Sequence, residues 1–91
     1  MQVHTLKTIE RYFEAVERGE KTFEVRKNDR AFQTGDVLEL VKTDERGHYI
    51  HQPGSRFTEI KLRRKITYLL QGGQFGIEPT YCVLGIGPCD D

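Results

Sequence analysis

A single stretch with helical periodicity limits the folds that this chain can adopt. Four apolar residues recur at helical spacing: Ile9, Tyr12, Phe13 and Val16. Gly19 is placed to end the helix in the left-handed conformation, and Thr8 is a candidate N-cap through its hydroxyl. One helix cannot supply the crossovers that a parallel sheet requires. The strands of this protein are therefore expected to be mainly antiparallel or mixed.

Five segments have the residue pattern of extended chain. They are Val3–Lys7, Lys21–Lys27, Val37–Lys42, Phe57–Gln71 and Tyr81–Ile86. The third of them is apolar on both faces, which is typical of a central strand covered on each side. A sheet this short must curl or close to cover such a strand. The sequence therefore predicts an α+β fold, a small β-barrel of about five to six mostly antiparallel strands with the N-terminal helix packed against it.

The longest extended segment, Phe57–Gln71, alternates with one interruption. Its apolar face carries Ile60, Leu62, Ile66, Tyr68 and Leu70. Arg64 interrupts this face, so either a bulge re-aims its side chain or it enters the interior and needs a carboxylate partner. The opposite face carries the cations Lys61, Arg63 and Lys65. These cations could extend an RNA surface or protect a sheet edge from aggregation.

Two connections between these segments have turn composition. His48–Arg56 contains Pro53 and Gly54 and predicts an excursion in the form of a ragged hairpin arm. Gln71–Gly76 is a glycine-rich turn with Phe75 at its tip. Both turns are predicted to lie on the surface.

Length, charge and cysteine content narrow the class of protein. The 91 residues predict one domain, residues 1–91, and 14 basic residues balance 14 acidic ones, which argues against a nonspecific coat for duplex DNA. No apolar run approaches the ~20 residues that span a bilayer, so no membrane association is expected. Cys82 and Cys89 form no C-x-x-C pair and no signal peptide pattern is present, which predicts a reduced, cytoplasmic protein. His48 and His51 fit no zinc spacing, and we expect neither a metal nor a cofactor.

The densest group of charges lies in Gly19–Arg30, which reads GEKTFEVRKNDR. In an extended strand, Thr22, Glu24 and Arg26 share one face, while Phe23 and Val25 share the other and are expected to point into the core. A hydroxyl, a carboxylate and a guanidinium on one face are suited to a polar or anionic ligand. The same pattern also fits a solvated surface, where exposed ion pairs contribute little.

This segment resembles the DUF3850 family of the ASCH superfamily, whose fold is similar to that of the PUA domain. The resemblance rests on the pattern G-x-K-x-x-E-x-R after a helix, which Gly19, Lys21, Glu24 and Arg26 satisfy. Later stretches that resemble the family are Ile66–Leu70, Gly72–Gly76 and Tyr81–Leu84. The resemblance covers most of the chain except 48–61.

The resemblance implies a β-barrel with a cleft beside the helix that binds RNA or a nucleotide-like ligand. We expect Lys21, Arg26, Lys27 and Arg30 to contact phosphate. Glu24 and Asn28 are expected to contact base edges, and Phe75 is a candidate for stacking. The predicted ligand-binding residues are therefore Lys21, Glu24, Arg26, Lys27, Asn28, Arg30 and Phe75.

The resemblance also implies an alternative function. Some small ASCH relatives are amidohydrolases that remove an acyl group from a nucleoside, with a lysine, a threonine and a glutamate as catalytic residues. Lys21 lies where their lysine lies and would act as the base, together with Glu24. The threonine of those enzymes lies three positions after the lysine, where this chain has Glu24. A binding module is therefore ranked above an enzyme.

Overall fold

The computed structural model describes residues 1–89, which form one helix and five strands. In chain order the elements are β1 (Val3–Ile9), α1 (Glu10–Glu17), β2 (Phe23–Lys27), β3 (Val37–Thr43), β4 (Lys61–Gln71) and β5 (Tyr81–Gly87). Gly19 has φ +80°, so the left-handed end of the helix is confirmed. No helix within residues 1–89 has the length and apolar character needed to cross a bilayer.

The five strands form one mixed sheet in the order β1-β3-β4-β5-β2. β1 and β3 are parallel, and the other three pairs are antiparallel. β1 and β2 are the two edges and would lie roughly 19 Å apart in a flat sheet. Instead, Arg26 Nη2 on β2 donates to Thr8 Oγ1 on β1 at 3.1 Å. The sheet is therefore curled into a half-barrel, and the predicted α+β architecture is confirmed.

The core lies between the concave face of the sheet and α1. Phe13 and Val16 from the helix are fully buried against inward residues of the strands. Those strand residues are Leu6, Leu38, Leu40, Ile66, Cys82, Leu84 and Ile86. Phe32, in the loop after β2, is also buried there. β3 is an interior strand of the sheet and is covered on both faces, as its composition predicted, because Val37 and Val41 on its outer face are buried as well.

β4 contains a bulge, but this bulge does not re-aim Arg64. The register with β5 shifts between Ile66 and Tyr68, so Ile66 faces inward and Tyr68 is 67% exposed. The expectation that these two residues share a face is therefore wrong. Arg64 lies before the bulge and stays on the inward side, where its Nη2 donates to the carbonyl oxygen of Val16 at 3.3 Å. Its partner is not a carboxylate but a carbonyl oxygen at the end of α1, which also accepts from the backbone amide of Gly19.

The start of α1 also differs from expectation. β1 continues through Ile9, which occupies the N-cap position with no side-chain hydrogen bond. Thr8 is a buried strand residue whose hydroxyl donates to the Leu6 carbonyl oxygen. The Thr8 cap is wrong because pairing with β3 extends to the end of β1 and keeps this residue in the sheet.

The connection between β3 and β4 is an irregular arm. Isolated antiparallel bridges join Thr43 to Tyr49 and His51 to Glu59. Regular pairing resumes only at Lys61, four residues later than the extended segment predicted from Phe57. The ragged hairpin arm is confirmed.

Candidate functional site

β2 turns its charged face toward the interior of the half-barrel. Glu24 pairs with Leu84 and Arg26 with Cys82, and both of these β5 residues face the core. Phe23 and Val25 lie on the opposite side, where they are 45% and 50% exposed. The expectation that Phe23 and Val25 point into the core is therefore wrong. As an edge strand, β2 takes its orientation from β5 alone, and its own hydrophobic pattern is overridden.

Four side chains form a polar network across the gap between the two sheet edges. This seam cluster consists of Thr8, Lys21, Glu24 and Arg26. Glu24 is only 4% exposed, and its carboxylate accepts from Lys21 Nζ at 2.9 Å and from Arg26 Nε at 3.3 Å. Arg26 Nη2 donates to Thr8 Oγ1 on the other edge. The buried carboxylate is thus paired on both oxygens, as a buried charge requires.

Lys21 is held in place by more than its carboxylate. Its Nζ donates to the carbonyl oxygen of Phe23 at 2.7 Å, on the open edge of β2. The same ammonium lies 5.6 Å from the ring centroid of Tyr12 and 5.0 Å from that of Phe23. Both distances are within the range of cation–π attraction. The lysine therefore stands between two aromatic side chains from different elements.

A cavity of about 470 Å³ opens beside this cluster, between β1, α1 and β2. We call it the seam pocket, and its lining residues are Lys7, Thr8, Ile9, Tyr12, Lys21, Phe23, Glu24, Val25 and Arg26. Three of these side chains are cationic and one is anionic. Its size lies within the range of small-molecule sites, which combine apolar walls with a few convergent polar groups.

Lys27 and Asn28, predicted to bind ligand, lie away from the seam pocket. Lys27 pairs with Tyr81 and faces outward from the sheet. The Asn28 amide Nδ2 donates to Gln71 Oε1 at 3.2 Å, and its buried Oδ1 has no hydrogen-bond partner within residues 1–89. Lys27 is the last residue of β2 and Asn28 follows it, so both lie beyond the part of this strand that lines the seam pocket.

Arg30 and Phe75 also lie outside the pocket lining. Arg30 Nη1 donates to the carbonyl oxygen of Thr5 at 2.8 Å and so spans the gap between the loop after β2 and β1. Phe75 is 84% exposed at the tip of its turn, with φ +52°. Of the seven predicted ligand-binding residues, the structure brings three together in the seam pocket: Lys21, Glu24 and Arg26.

The pocket also contains residues that sequence reasoning did not select. Lys7, Thr8 and Ile9 come from β1, and Tyr12 comes from the helix. Tyr12 was assigned to the apolar stripe of the helix, but it is 42% exposed beside the pocket. No local pattern distinguishes it from a core residue. The position of Tyr12 beside the pocket follows only from the curling of the sheet.

The second basic patch, on β4, is engaged by a carboxylate of β3. Lys61 Nζ lies 3.7 Å and Arg63 Nη2 lies 3.1 Å from Glu39. Burial raises the pKa of Glu39, but the hydrogen bond from Arg63 and the charges of Lys61 and Arg63 outweigh it and hold that pKa below its ordinary value. Much of this patch is therefore neutralised within the sheet.

The remaining polar residues form no coordination group. Within residues 1–89, no three or more His, Cys, Asp or Glu side chains converge as metal ligands would. His48 lies 3.6 Å from Asp44, and His4 is hydrogen-bonded to Asp36 at 2.9 Å. Thr22 lines a second cavity of about 370 Å³ near the end of α1 and is not part of the seam pocket lining.

Comparison with known proteins identifies a family. A search of curated proteins found no match. The model of the family described as "Domain of unknown function (DUF3850)" matches residues 3–86. The matched range includes α1, both edge strands and the whole seam cluster. The chain therefore belongs to the DUF3850 family.

Proposed function

We propose that this protein is a PUA-like binding module of the ASCH type that holds RNA or a nucleotide-like ligand in the seam pocket. The observation that carries the proposal is the buried Glu24 carboxylate, fixed between Lys21 and Arg26 at the side of a cavity of about 470 Å³. A buried, doubly paired charge beside an open cavity is an expensive arrangement, and such arrangements concentrate at functional sites.

The charges of the pocket favour an anionic group on the ligand. Lys7, Lys21 and Arg26 carry three positive charges against the single negative charge of Glu24. The ammonium of Lys7 lies 4.9 Å from the ring centroid of Tyr49, which holds it near the rim. An excess of cations in a concave site attracts phosphate. Arg26 adds a planar fork of donors that matches phosphate oxygens.

The walls of the pocket favour a flat group. Tyr12 and Phe23 are each exposed by more than two fifths, at 42% and 45%, and both border the ammonium of Lys21. Nucleobases stack on such rings in proteins that recognise unpaired nucleotides. A phosphate and a flat base on one ligand describe a nucleotide.

The amidohydrolase alternative receives less support from the geometry. Lys21 donates to a carboxylate and to a backbone carbonyl, which is the bonding pattern of a charged ammonium. A base needs a free electron pair instead. Thr22, the hydroxyl residue next to Lys21, is exposed and lies outside the seam pocket lining. Binding without chemical change therefore remains the proposal.

The test is an NMR chemical-shift titration with uridine and cytidine 5′-monophosphates, short RNAs and an N-acetylated cytidine, followed by mass analysis of each ligand. We expect shifts at Lys21, Glu24, Arg26 and Tyr12, with every ligand recovered unchanged. Arg26→Ala should weaken binding, whereas Arg18→Ala, which removes an exposed arginine paired with Glu20, should not.

Two results would contradict the proposal. Shifts absent from the seam pocket would exclude the site. Loss of the acetyl group, abolished by Lys21→Ala, would establish the hydrolase instead. Unfolding of the Arg26→Ala variant would make this arginine a structural link between the sheet edges, and Lys7→Ala would then provide the binding test.

A further inference from the structure

The outer face of β5 presents a surface that the lining of the seam pocket does not include. Its outward positions are Tyr81, Val83, Gly85 and Gly87. A Cβ added at Gly85 would lie 3.2 Å from Thr67 Oγ1, and one at Gly87 would lie 3.1 Å from Thr67 Cγ2. Side chains at either position would crowd β4. We call the surface around these two glycines the outer trough.

Aromatic side chains flank the outer trough. Gly85 pairs with Phe23 on β2 and with Tyr68 on β4, so it separates two aromatic residues in one row across the sheet. Adjacent strands are about 4.8 Å apart, which places the two Cα atoms roughly 10 Å from each other. Tyr68 is 67% exposed and Phe23 is 45% exposed. Gly85 places no side chain of its own between the two rings, and the side chain of Thr67 borders this glycine.

The next row adds to the exposed apolar surface. Val83 pairs with Val25 on one side and with Leu70 on the other. Val25 is half-exposed, and Tyr81 at the end of the trough is 39% exposed. Contiguous apolar surface of this kind on a sheet face marks an interaction site.

The charges around the outer trough are all of one sign. The described outward positions of β2, β4 and β5 hold the cations Lys27, Lys61, Arg63 and Lys65 and no acidic residue. Lys61 and Arg63 approach Glu39, away from the trough. Lys27 and Lys65 have no ion-pair partner within residues 1–89. Lys27 lies opposite Tyr81 and Lys65 opposite Gly87, so one cation stands near each end.

From this combination we infer that the outer trough binds single-stranded nucleic acid. Bases stack on Tyr68 and Phe23, and phosphates contact Lys27 and Lys65. Stacking rings between cations are the features that unpaired nucleic acid requires. The outer trough shares Phe23 with the lining of the seam pocket, whereas Tyr68, Lys27 and Lys65 lie outside that lining.

The first experiment measures fluorescence anisotropy of a labelled short oligouridylate with the complete chain. Tyr68→Ala is expected to weaken binding by about fivefold or more, the loss typical of one stacked base. Phe57→Ala is the matched control, since Phe57 is 86% exposed on the arm, outside both sites, and its removal should change nothing. Equal affinity of Tyr68→Ala and Phe57→Ala would overturn the inference.

The second experiment measures the dependence of affinity on salt. Lys65→Ala should reduce the slope of log K against log salt by about 0.7, the value for one phosphate contact on a single strand. Arg56→Ala removes the same charge from the exposed arm and should leave the slope unchanged. An unchanged slope in Lys65→Ala would contradict the phosphate contact and overturn the inference.

Three further outcomes distinguish nucleic-acid binding in the outer trough from self-association and from binding in the seam pocket. Concentration-dependent self-association that Tyr68→Ala abolishes, without oligonucleotide binding, would overturn the inference and assign this face to a second copy of the chain. Uridine 5′-monophosphate binding that depends on Arg26, with oligonucleotide binding unaffected by Tyr68→Ala, would leave the seam pocket as the sole site and overturn the outer trough. Oligonucleotide binding lost in Tyr68→Ala and retained in Arg26→Ala would establish the trough independently of the seam pocket.

Discussion

β3 and β2 are both short strands, yet they turn opposite kinds of side chain toward the interior. β3 turns Leu38 and Leu40 toward the core, and its outer Val37 and Val41 are buried too. β2 buries Glu24 and exposes Phe23 and Val25. In each strand, alternation determines which residues share a face. Whether that face points into the core or outward depends on the strands that pair with it.

The neighbours of the two strands account for the difference. β3 pairs with β1 on one edge and with β4 on the other, and α1 packs against it. β2 has β5 as its only partner in the sheet and faces β1 across the seam pocket. An edge beside a cavity can hold a charge if that charge is paired, and Lys21 and Arg26 meet this condition for Glu24.

The largest effect on stability is expected from truncation of a core side chain in β3. Leu40→Ala should lower the free energy of unfolding by about 2–5 kcal/mol, because Leu40 is fully buried and its removal leaves a cavity. Val25→Ala on β2 should lower it by less than about 1 kcal/mol. Urea unfolding measures both. Equal losses would show that β2 and β3 are buried alike and would refute the comparison.

A smaller effect is expected from the seam cluster. Glu24→Ala should cost about 1–3 kcal/mol of unfolding free energy, since Lys21 Nζ and Arg26 Nε lose their carboxylate acceptor while the two side chains are only 16% and 23% exposed. Glu20→Ala breaks an exposed pair with Arg18 and should have no measurable effect. If Glu24→Ala were as stable as the unmodified chain, the buried pairing of Glu24 with Lys21 and Arg26 would not contribute to folding stability.

The smallest effect is expected only at acidic pH and concerns Asp36, the residue immediately before β3. Burial raises the pKa of Asp36, but hydrogen bonds from His4 and from the backbone amides of Gln2 and Gln33 outweigh it and hold that pKa below its ordinary value. A lowered pKa contributes stability above the ordinary value of about 3.9, and that stability is lost as the pH falls through the lowered value.

Asp36→Asn should therefore flatten the acid limb of the unfolding free energy, measured by urea titration between neutral pH and about pH 2. Glu17→Gln, an exposed change on α1, should retain the full acid limb. An acid limb unchanged in Asp36→Asn would mean that the link between Asp36 and β1 does not contribute to folding stability.

Local pattern predicted the elements well where local chemistry dominates. Gly19 ends the helix because its backbone reaches φ +80° without a side-chain penalty. β3 was recognised as a strand covered on both faces because its sequence is apolar on each of them. The bulge after Ile66 was not placed, since Thr67 carries no signal that an extra residue belongs there. The Thr8 cap failed because strand pairing extended farther than propensity indicated.

The candidate site was predicted in part for the same reason. Glu24 and Arg26 are two residues apart on a strand, so alternation alone places them on one face, and Lys21 precedes them closely enough to reach. Tyr12 and Lys7 lie on other elements and enter the pocket only through tertiary structure. Lys27 could be assigned to the same strand but not to its outward face, because the direction of that face depends on β5.

The sequence by itself determined the types of element, the strand that is covered on both faces and which residues share a face in β2 and β3, because these follow from spacing and backbone chemistry along the chain. Only the tertiary structure decided which face of β2 is buried, where β4 bulges and how the two sheet edges meet around the seam pocket. These features depend on pairing between residues far apart in the chain, such as Glu24 with Leu84 and Arg26 with Thr8. Curling the sheet creates the pocket, and no local pattern records how far a sheet will curl.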